Sequence, residues 1–240
     1  MLLKPDNFKC EKTTVWSFPE RGNWATHSGK YRGNWSPYVP RNLILRYSKP
    51  NELVLDQFVG SGTTLVEAKL LNRKAIGIDI NKDSITLAFE NLQFDISDTP
   101  EIMIREGDAA NMSFIDSSSI DLICTHPPYA NIIKYSDGIS GDISLLARDE
   151  FLNRMDIVAS ESFRVLKKGK ICAVMMGDIR RKGNVIPLGF EVMECFLKAG
   201  FKNKEIIIKE QHNCKSTNYW SKQKTDFFLL AHEYIFVFEK

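Results

Sequence analysis

From residue 51 onward, short runs of β-branched and aliphatic residues alternate with segments of helical periodicity, the sequence form of a parallel α/β sheet. Leu53-Val54-Leu55-Asp56 reads as the first strand. It runs directly into Gln57-Phe58-Val59-Gly60-Ser61-Gly62-Thr63-Thr64, and a helix follows through Leu65, Ala68, Leu70 and Leu71. A strand, a glycine turn and a helix in that order let the backbone approach a ligand without Cβ obstruction, as nucleotide-type sites require. A dinucleotide fingerprint would place a third glycine at position 65, where this chain has Leu65, so the pattern argues against a nicotinamide cofactor.

The alternation continues. Ala75 to Asp79 is a second strand, Ser84 to Leu92 a second helix, Ile102 to Ile104 a weaker third strand and Ile120 to Cys124 a fourth. Residues 148–166 have helical periodicity and end at Lys167-Lys168-Gly169, where cations and a glycine suit a helix C-terminus. Lys170 to Met176 is a fifth strand, and a helix runs from Pro187 to Lys198. Lys204 to Lys209 and Glu233 to Glu239 are two more strands, the last fit only for an antiparallel place. The expected fold is α/β: a doubly wound, mostly parallel seven-stranded sheet with an antiparallel hairpin at one edge.

With 240 residues, 43% of them hydrophobic, the chain fills one globular domain and leaves no room for a second full one. No stretch approaches the roughly 18 uncharged residues of a membrane span, and residues 1–6 hold no signal-peptide core, so a soluble cytoplasmic protein is expected. Cys10, Cys124, Cys172, Cys195 and Cys214 are odd in number and widely spaced, which suits core thiols rather than disulfides. His212 and Cys214 lack a second ligand pair, so no metal site is indicated. A net charge of +2 permits a polyanionic partner without demonstrating one. Arg-Gly-Asn-Trp occurs at residues 21–24 and again at 32–35, either by coincidence in a polar arm or as two tight turns each presenting an Arg and a Trp.

Three places carry chemistry. Asp79 ends the second strand 19 residues after Gly60, where its carboxylate can accept from ribose hydroxyls, with Ile80 beside it. Asp108, followed by Ala109, is placed beyond the third strand to accept from an adenine amino group; a solvated strand-end Asp is the plainer reading of each. The fourth strand ends in Thr125-His126-Pro127-Pro128-Tyr129. An exocyclic amine on a planar base is a poor nucleophile because its lone pair is delocalised into the ring. Carbonyl and side-chain acceptors that bind both N–H hydrogens draw the nitrogen toward tetrahedral geometry and aim the lone pair at an electrophile. Tyr129 would stack on a base extruded from a duplex. A cis-proline turn with a packing Tyr explains the same letters.

These segments resemble the amino-methyltransferases of the DNA N6-adenine and N4-cytosine family, whose glycine motif has the form (D)-P-F-x-G-S-G-T-T and whose catalytic motif is (D/N/S/T)-P-P-(Y/F/W). The resemblance covers roughly residues 27–239 and includes Gly107-Asp108, Arg164 to Gly169, Gly177-Asp178 and His232 to Phe238. It implies a Rossmann-like methyltransferase domain over 27–240 behind an N-terminal arm, 1–26. It also implies S-adenosylmethionine as cofactor, held by Asp56, Phe58, Gly60, Ser61, Gly62, Thr63, Thr64, Asp79, Ile80, Asp108 and Ala109. Within His27 to Leu45, which would close over the methionine end, Asn34 and Trp35 are the candidates. His126, Pro127, Pro128 and Tyr129 would be catalytic.

Two positions depart from the pattern. Gln57 replaces Pro, and His126 replaces the residue that accepts from the target amine. A neutral imidazole can accept and an imidazolium cannot, so activity is expected to fall as pH drops through the imidazole pKa. Alternatively His126 packs and the Pro127 carbonyl accepts. Basic residues among aromatics, Lys134, Arg180, Arg181, Lys215, Trp220 and Lys222, are the expected nucleic-acid contacts. DNA is the first substrate reading, structured RNA the second, and a non-catalytic nucleic-acid-binding relative the third.

Overall fold

The computed structural model describes residues 2–213 and 215–240. In chain order its strands are β1 (Val15–Trp16), β2 (Leu53–Asp56), β3 (Lys74–Asp79), β4 (Ile102–Glu106), β5 (Ile120–Thr125), β6 (Leu166–Met176), β7 (Ile179–Arg181), β8 (Asn184–Ile186), β9 (Lys202–Glu210) and β10 (His232–Glu239). Its α-helices are α1 (Tyr38–Tyr47), α2 (Thr63–Leu70), α3 (Lys82–Asn91), α4 (Arg148–Val165), α5 (Leu188–Lys198) and α6 (Lys215–Trp220). Among the described residues one sheet has eight strands in the order β4-β3-β2-β5-β6-β10-β9-β1, and β7 and β8 form a separate antiparallel hairpin. The strands from β4 through β6 are parallel, whereas β10 runs antiparallel to both β6 and β9.

Period-two alternation along the strands builds two cores. Leu55, Ile123, Cys172, Val174, Phe236 and Phe238 face α4 and α5, packing with Phe151, Met155 and Phe196. Their neighbours Val54, Leu122, Cys124, Ala173, Ile235 and Val237 face the other way, onto Leu43 of α1 and Leu65 and Ala68 of α2. A sheet covered on both faces needs such near-continuous apolar strands. No described helix is long and apolar enough to cross a membrane. Cys124, Cys172 and Cys195 are buried as expected of core thiols; Cys10 is exposed, and Cys214 lies outside the described residues.

Two expectations are corrected. The helix over 148–166 stops at Val165, and Lys167-Lys168-Gly169 belongs to β6, not to a helix terminus. Leu166 is already extended and pairs with Ile120, and the lysines serve the strand: Lys167 and Lys170 reach Asp121 at 2.8 and 3.4 Å. The sheet also has eight strands rather than seven, because Val15-Trp16 pairs in parallel with Ile208-Lys209 of β9. A two-residue strand has no periodicity to read.

The N-terminal residues pack into the body. Trp16 and Trp24 are buried. Both Arg-Gly-Asn-Trp copies carry a left-handed glycine, Gly22 at φ 90° and Gly33 at φ 81°, but only the second is a turn, and Trp24 and Trp35 are buried rather than presented. At Gly33 a Cβ would fall 1.7 Å from Tyr135 Oη, so only glycine allows that approach. Glu67, on α2 and fully buried, holds this segment. It accepts from Trp24 Nε1 (2.7 Å), shares 2.7 Å with His27 Nε2 and accepts from Arg41 Nη1 (2.8 Å). Glu67→Ala leaves the buried Arg41 guanidinium uncompensated, and a loss of about 3–5 kcal/mol is expected in urea denaturation, with new protease cuts near residues 17–33. A loss under about 1 kcal/mol would show that the cluster does not anchor the segment.

Candidate active site

A cleft of about 1040 Å³ opens at the carboxyl ends of the parallel strands. It is lined by the turn after β2, by Asp79 and Ile80 after β3, Asp108 and Ala109 beyond β4, His126 to Tyr129 after β5 and Gly177-Asp178 after β6. Asn34 and Trp35 close one side. The two motifs far apart in sequence therefore share one cavity.

Asp56 joins them. Its Oδ1 accepts from Phe58 N (3.1 Å) and Thr125 Oγ1 (2.7 Å), and its Oδ2 accepts from Thr64 Oγ1 (2.5 Å). Burial pushes its carboxyl up to about 6, against the pull of these donors. Thr64 is buried behind the turn, and neither it, Gly62 nor Thr63 lines the cleft. Thr63 instead donates to Asn34 Oδ1 at 2.5 Å, tying the first turn of α2 to the closing segment.

Gly60 sits at φ 49°, and a Cβ there would lie 3.1 Å from Tyr31 Cε1. Its N–H donates to Asp79 Oδ2 (2.9 Å), while Asp79 Oδ1 accepts from Asn81 N (2.9 Å). Burial raises the Asp79 carboxyl above its usual value. Each oxygen retains acceptor capacity for one more donor, which suits a pair of ribose hydroxyls. Asp108 accepts from Ala110 N (2.8 Å) and is paired with Arg154, so a guanidinium shares the carboxylate expected to face adenine. Arg21, which sequence reasoning missed, also lines the cleft. Its Nη1 donates to Asn34 O (2.9 Å), while Nε and Nη2 are buried without a partner among the described residues. A carboxylate, such as the one on the methionine end of S-adenosylmethionine, would satisfy both. The residues present thus fit that cofactor at its ribose and at its amino-acid end.

At the other end of the cleft, His126 Nε2 lies 2.9 Å from Tyr129 Oη, which donates to Glu233 Oε1 at 2.8 Å. Glu233 Oε2 accepts from Lys209 Nζ at 3.0 Å. The imidazole stacks on Trp35 with centroids 5.6 Å apart and planes at 22°. Burial lowers the His126 pKa to about 4 and drives the Tyr129 phenol well up; Lys209 keeps Glu233 below the usual carboxylate range despite its burial. Glu233 and Lys209 face each other across β10 and β9, a pairing with no local signal in the sequence.

The basic residues divide. Arg180 and Trp220 line the cleft. Arg180 donates to Gly183 O (2.5 Å) and Phe228 O (2.9 Å), with its guanidinium 4.3 Å from the Phe227 ring centroid. Arg181 reaches Asn131 Oδ1 (3.1 Å) but does not line the cleft. Lys134 and Lys222 are exposed away from it, Lys134 beside a separate depression with Arg32. The Lys215 side chain lies outside the described residues. Near Trp220, Tyr219 and Phe228 are exposed, Phe228 by 95%.

The sheet order, the glycine turn and the strand-end carboxylates define the adenosylmethionine-dependent methyltransferase class. The DNA methylase model N6_N4_Mtase matches residues 4–90 and 120–240, and the chain belongs to that family, whose cofactor is S-adenosylmethionine. The chain is similar to the Type II methyltransferase M2.LlaDCHI of Lactococcus lactis subsp. cremoris, 37% identical over 91 residues, 38% of this chain and 34% of that protein. It is also similar to the tRNA (guanine(10)-N2)-dimethyltransferase of Pyrococcus abyssi (strain GE5 / Orsay), 27% identical over 161 residues, 67% of this chain and 44% of that protein. The match thus spans only about a third to under half of these curated relatives' length. Among solved structures, TrmN from Thermus thermophilus superposes with a TM-score of 0.61 at 19% identity, covering 87% of this chain and 50% of that one.

The position of His126 corrects the pH expectation. Burial holds the His126 pKa at about 4 rather than 6.5, so the imidazole stays neutral through mildly acidic solution. His126→Asn removes this titration alone. The ratio of wild-type to variant methyl-transfer rates is therefore expected to stay flat from about pH 8 to 5.5. A ratio falling with a midpoint near that of free imidazole would show that His126 is hydrated and charges there. For stability the sign is separate: a folded pKa below the unfolded one means the unfolded chain binds more protons between about 6.5 and 4, so this residue lowers stability as pH falls through that window.

Proposed function

We propose that this protein transfers the methyl group of S-adenosylmethionine to the exocyclic amino group of a base in DNA, adenine N6 or cytosine N4, within a methyltransferase domain spanning 27–240. The observation that carries the reading is the meeting of a cofactor-type cradle, Gly60 to Asp79, with His126 to Tyr129 in one cleft. Bound S-adenosylmethionine supplies an electrophilic methyl group beside the tetrapeptide. The imidazole of His126 and the carbonyl of Pro127 accept the two amine hydrogens, which localises the nitrogen lone pair. Tyr129, its hydroxyl tied to Glu233, offers a fixed ring on which the extruded base stacks. With S-adenosylmethionine bound, transfer would form the N–CH3 bond and break the S–CH3 bond, leaving S-adenosylhomocysteine, and the proton lost by the amine would pass to solvent.

Arg180 on the β7–β8 hairpin, with Trp220 and Phe227, provides cation and aromatic faces at the cleft for phosphates and bases. Arg181, Lys134 and Lys222, exposed outside the cleft, are further candidate phosphate contacts in this reading. A second reading is the same chemistry on structured RNA, favoured by the similarity over 67% of the chain to a protein named as a tRNA methyltransferase.

Transfer of labelled methyl groups to unmethylated duplex DNA and, in parallel, to unmodified tRNA and ribosomal RNA tests both. N6-methyladenine or N4-methylcytosine by nucleoside mass spectrometry is the expected product, label only in RNA promotes the second reading, and cofactor binding without label rejects an autonomous enzyme. Within the site the roles separate. Asp79→Ala is expected to weaken cofactor binding about tenfold or more by calorimetry, since a charged acceptor is lost. Tyr129→Ala should leave binding within about threefold and lower turnover by at least tenfold. Loss of cofactor binding in Tyr129→Ala would overturn this division.

A further inference from the structure

The chain from Lys209 to His126 has a direction, and the direction is fixed by what each group can donate. Lys209 is an ammonium with donors only. Glu233, 8% exposed, is held as a carboxylate by that ammonium and therefore only accepts. Tyr129 Oη has a single proton, and it lies on the bond to Glu233 Oε1. The phenolic oxygen is then left with lone pairs alone toward His126, so the contact at 2.9 Å is a hydrogen bond only if His126 Nε2 carries the ring proton. A neutral imidazole has one ring proton. With Nε2–H assigned, Nδ1 keeps its lone pair, and Nδ1 has no hydrogen-bond partner among the described residues.

We infer that Glu233 is a positioning residue that selects the Nε2–H tautomer of His126 through the Tyr129 hydroxyl, so that Nδ1 is held as the acceptor for the target amine. The inference rests on the proposed reading of His126 as that acceptor and adds the group that makes it one. It also gives the histidine at this position a physical meaning. A carboxylate or carbonyl oxygen accepts in any orientation, whereas an imidazole accepts at one nitrogen only and needs a partner to decide which. The partner here comes from β10, 104 residues beyond Tyr129, through the hydroxyl of that same Tyr. Trp35 stacks on the imidazole with planes at 22°, and the contact of Nε2 with Tyr129 Oη opposes a flip of the ring.

The test reads the tautomer directly. Full-length protein labelled with 15N-histidine, with His126 assigned by its loss in His126→Asn, is expected to show the Nε2–H form alone in long-range 15N–1H spectra at neutral pH. Glu233→Gln offers both an N–H and a carbonyl to Tyr129 and frees the hydroxyl to turn. The His126 signals should then move toward a mixture of both tautomers, and kcat should fall by about tenfold or more with the KM for cofactor unchanged. Tyr129→Phe, which keeps the Glu233–Lys209 pair and the ring, should shift the tautomer in the same way, so the inference stays testable if the Glu233 variant folds poorly. An Nδ1–H signal in the wild type, or unchanged tautomer and rate in Glu233→Gln, would overturn the inference. Because the spectrum needs no substrate, failure to methylate any nucleic acid rejects the functional reading while the tautomer result still stands by itself.

Discussion

A single buried carboxylate sets the distance between the two halves of the site. Asp56 ends β2, and the hydroxyls of Thr64 and Thr125 converge on it from the first turn of α2 and the last residue of β5. One residue beyond Thr125 is His126, and between Asp56 and Thr64 lies the glycine turn. Its pKa, raised to about 6 by burial, records how costly such a charge is inside a sheet. The carboxylate is tolerated because each oxygen is hydrogen-bonded, and a hydroxyl or amide placed there would not accept from three donors at once without giving one of its own away.

The walls of the cleft come from segments with little regular structure. The residues before α1 reach over the glycine turn, where Tyr31 lies against Gly60 and shares 3.0 Å with Ser84 Oγ. The loop between β5 and α4 comes from the opposite side and meets them: the Tyr31 and Tyr135 rings stack at 6.2 Å, and Asn81 Nδ2 donates to Tyr135 O at 2.9 Å. Glu67 roots the first of these walls in α2. The glycine turn and the first of these walls are thus fastened to the same helix, whose first turn is also held by Asp56.

How much of this could be read from the sequence follows from how local each signal is. The alternation of strand and helix, the glycine turn after β2 and the tetrapeptide after β5 are contiguous patterns, and the structure brings their residues to one cleft. The short strand β1 escaped because its two residues carry no period and their pairing with β9 spans almost the whole chain. Lys167 to Gly169 looked like a helix end because cations and glycine favour one; Lys167 instead pairs with Asp121, and the next lysine, Lys170, with Asp121 and Glu52. The low pKa of His126 depends on burial against Trp35, and its link to Glu233 depends on the β9–β10 register, neither of which is written near residue 126. Arg21 was hidden because its significance lies in two unpaired nitrogens, a property of packing rather than of composition.

The strand order has a temporal side. β10 lies between β6 and β9 although it follows both in the chain, and β1 docks only on β9. The parallel strands from β4 to β6, with Asp56 and the glycine turn, are complete once β6 has been synthesised, whereas β9 has no place until β10 has paired with β6. Glu233 arrives with that strand. A molecule in which β10 has not yet paired with β6 therefore holds the Asp56 junction and the glycine turn but not Glu233.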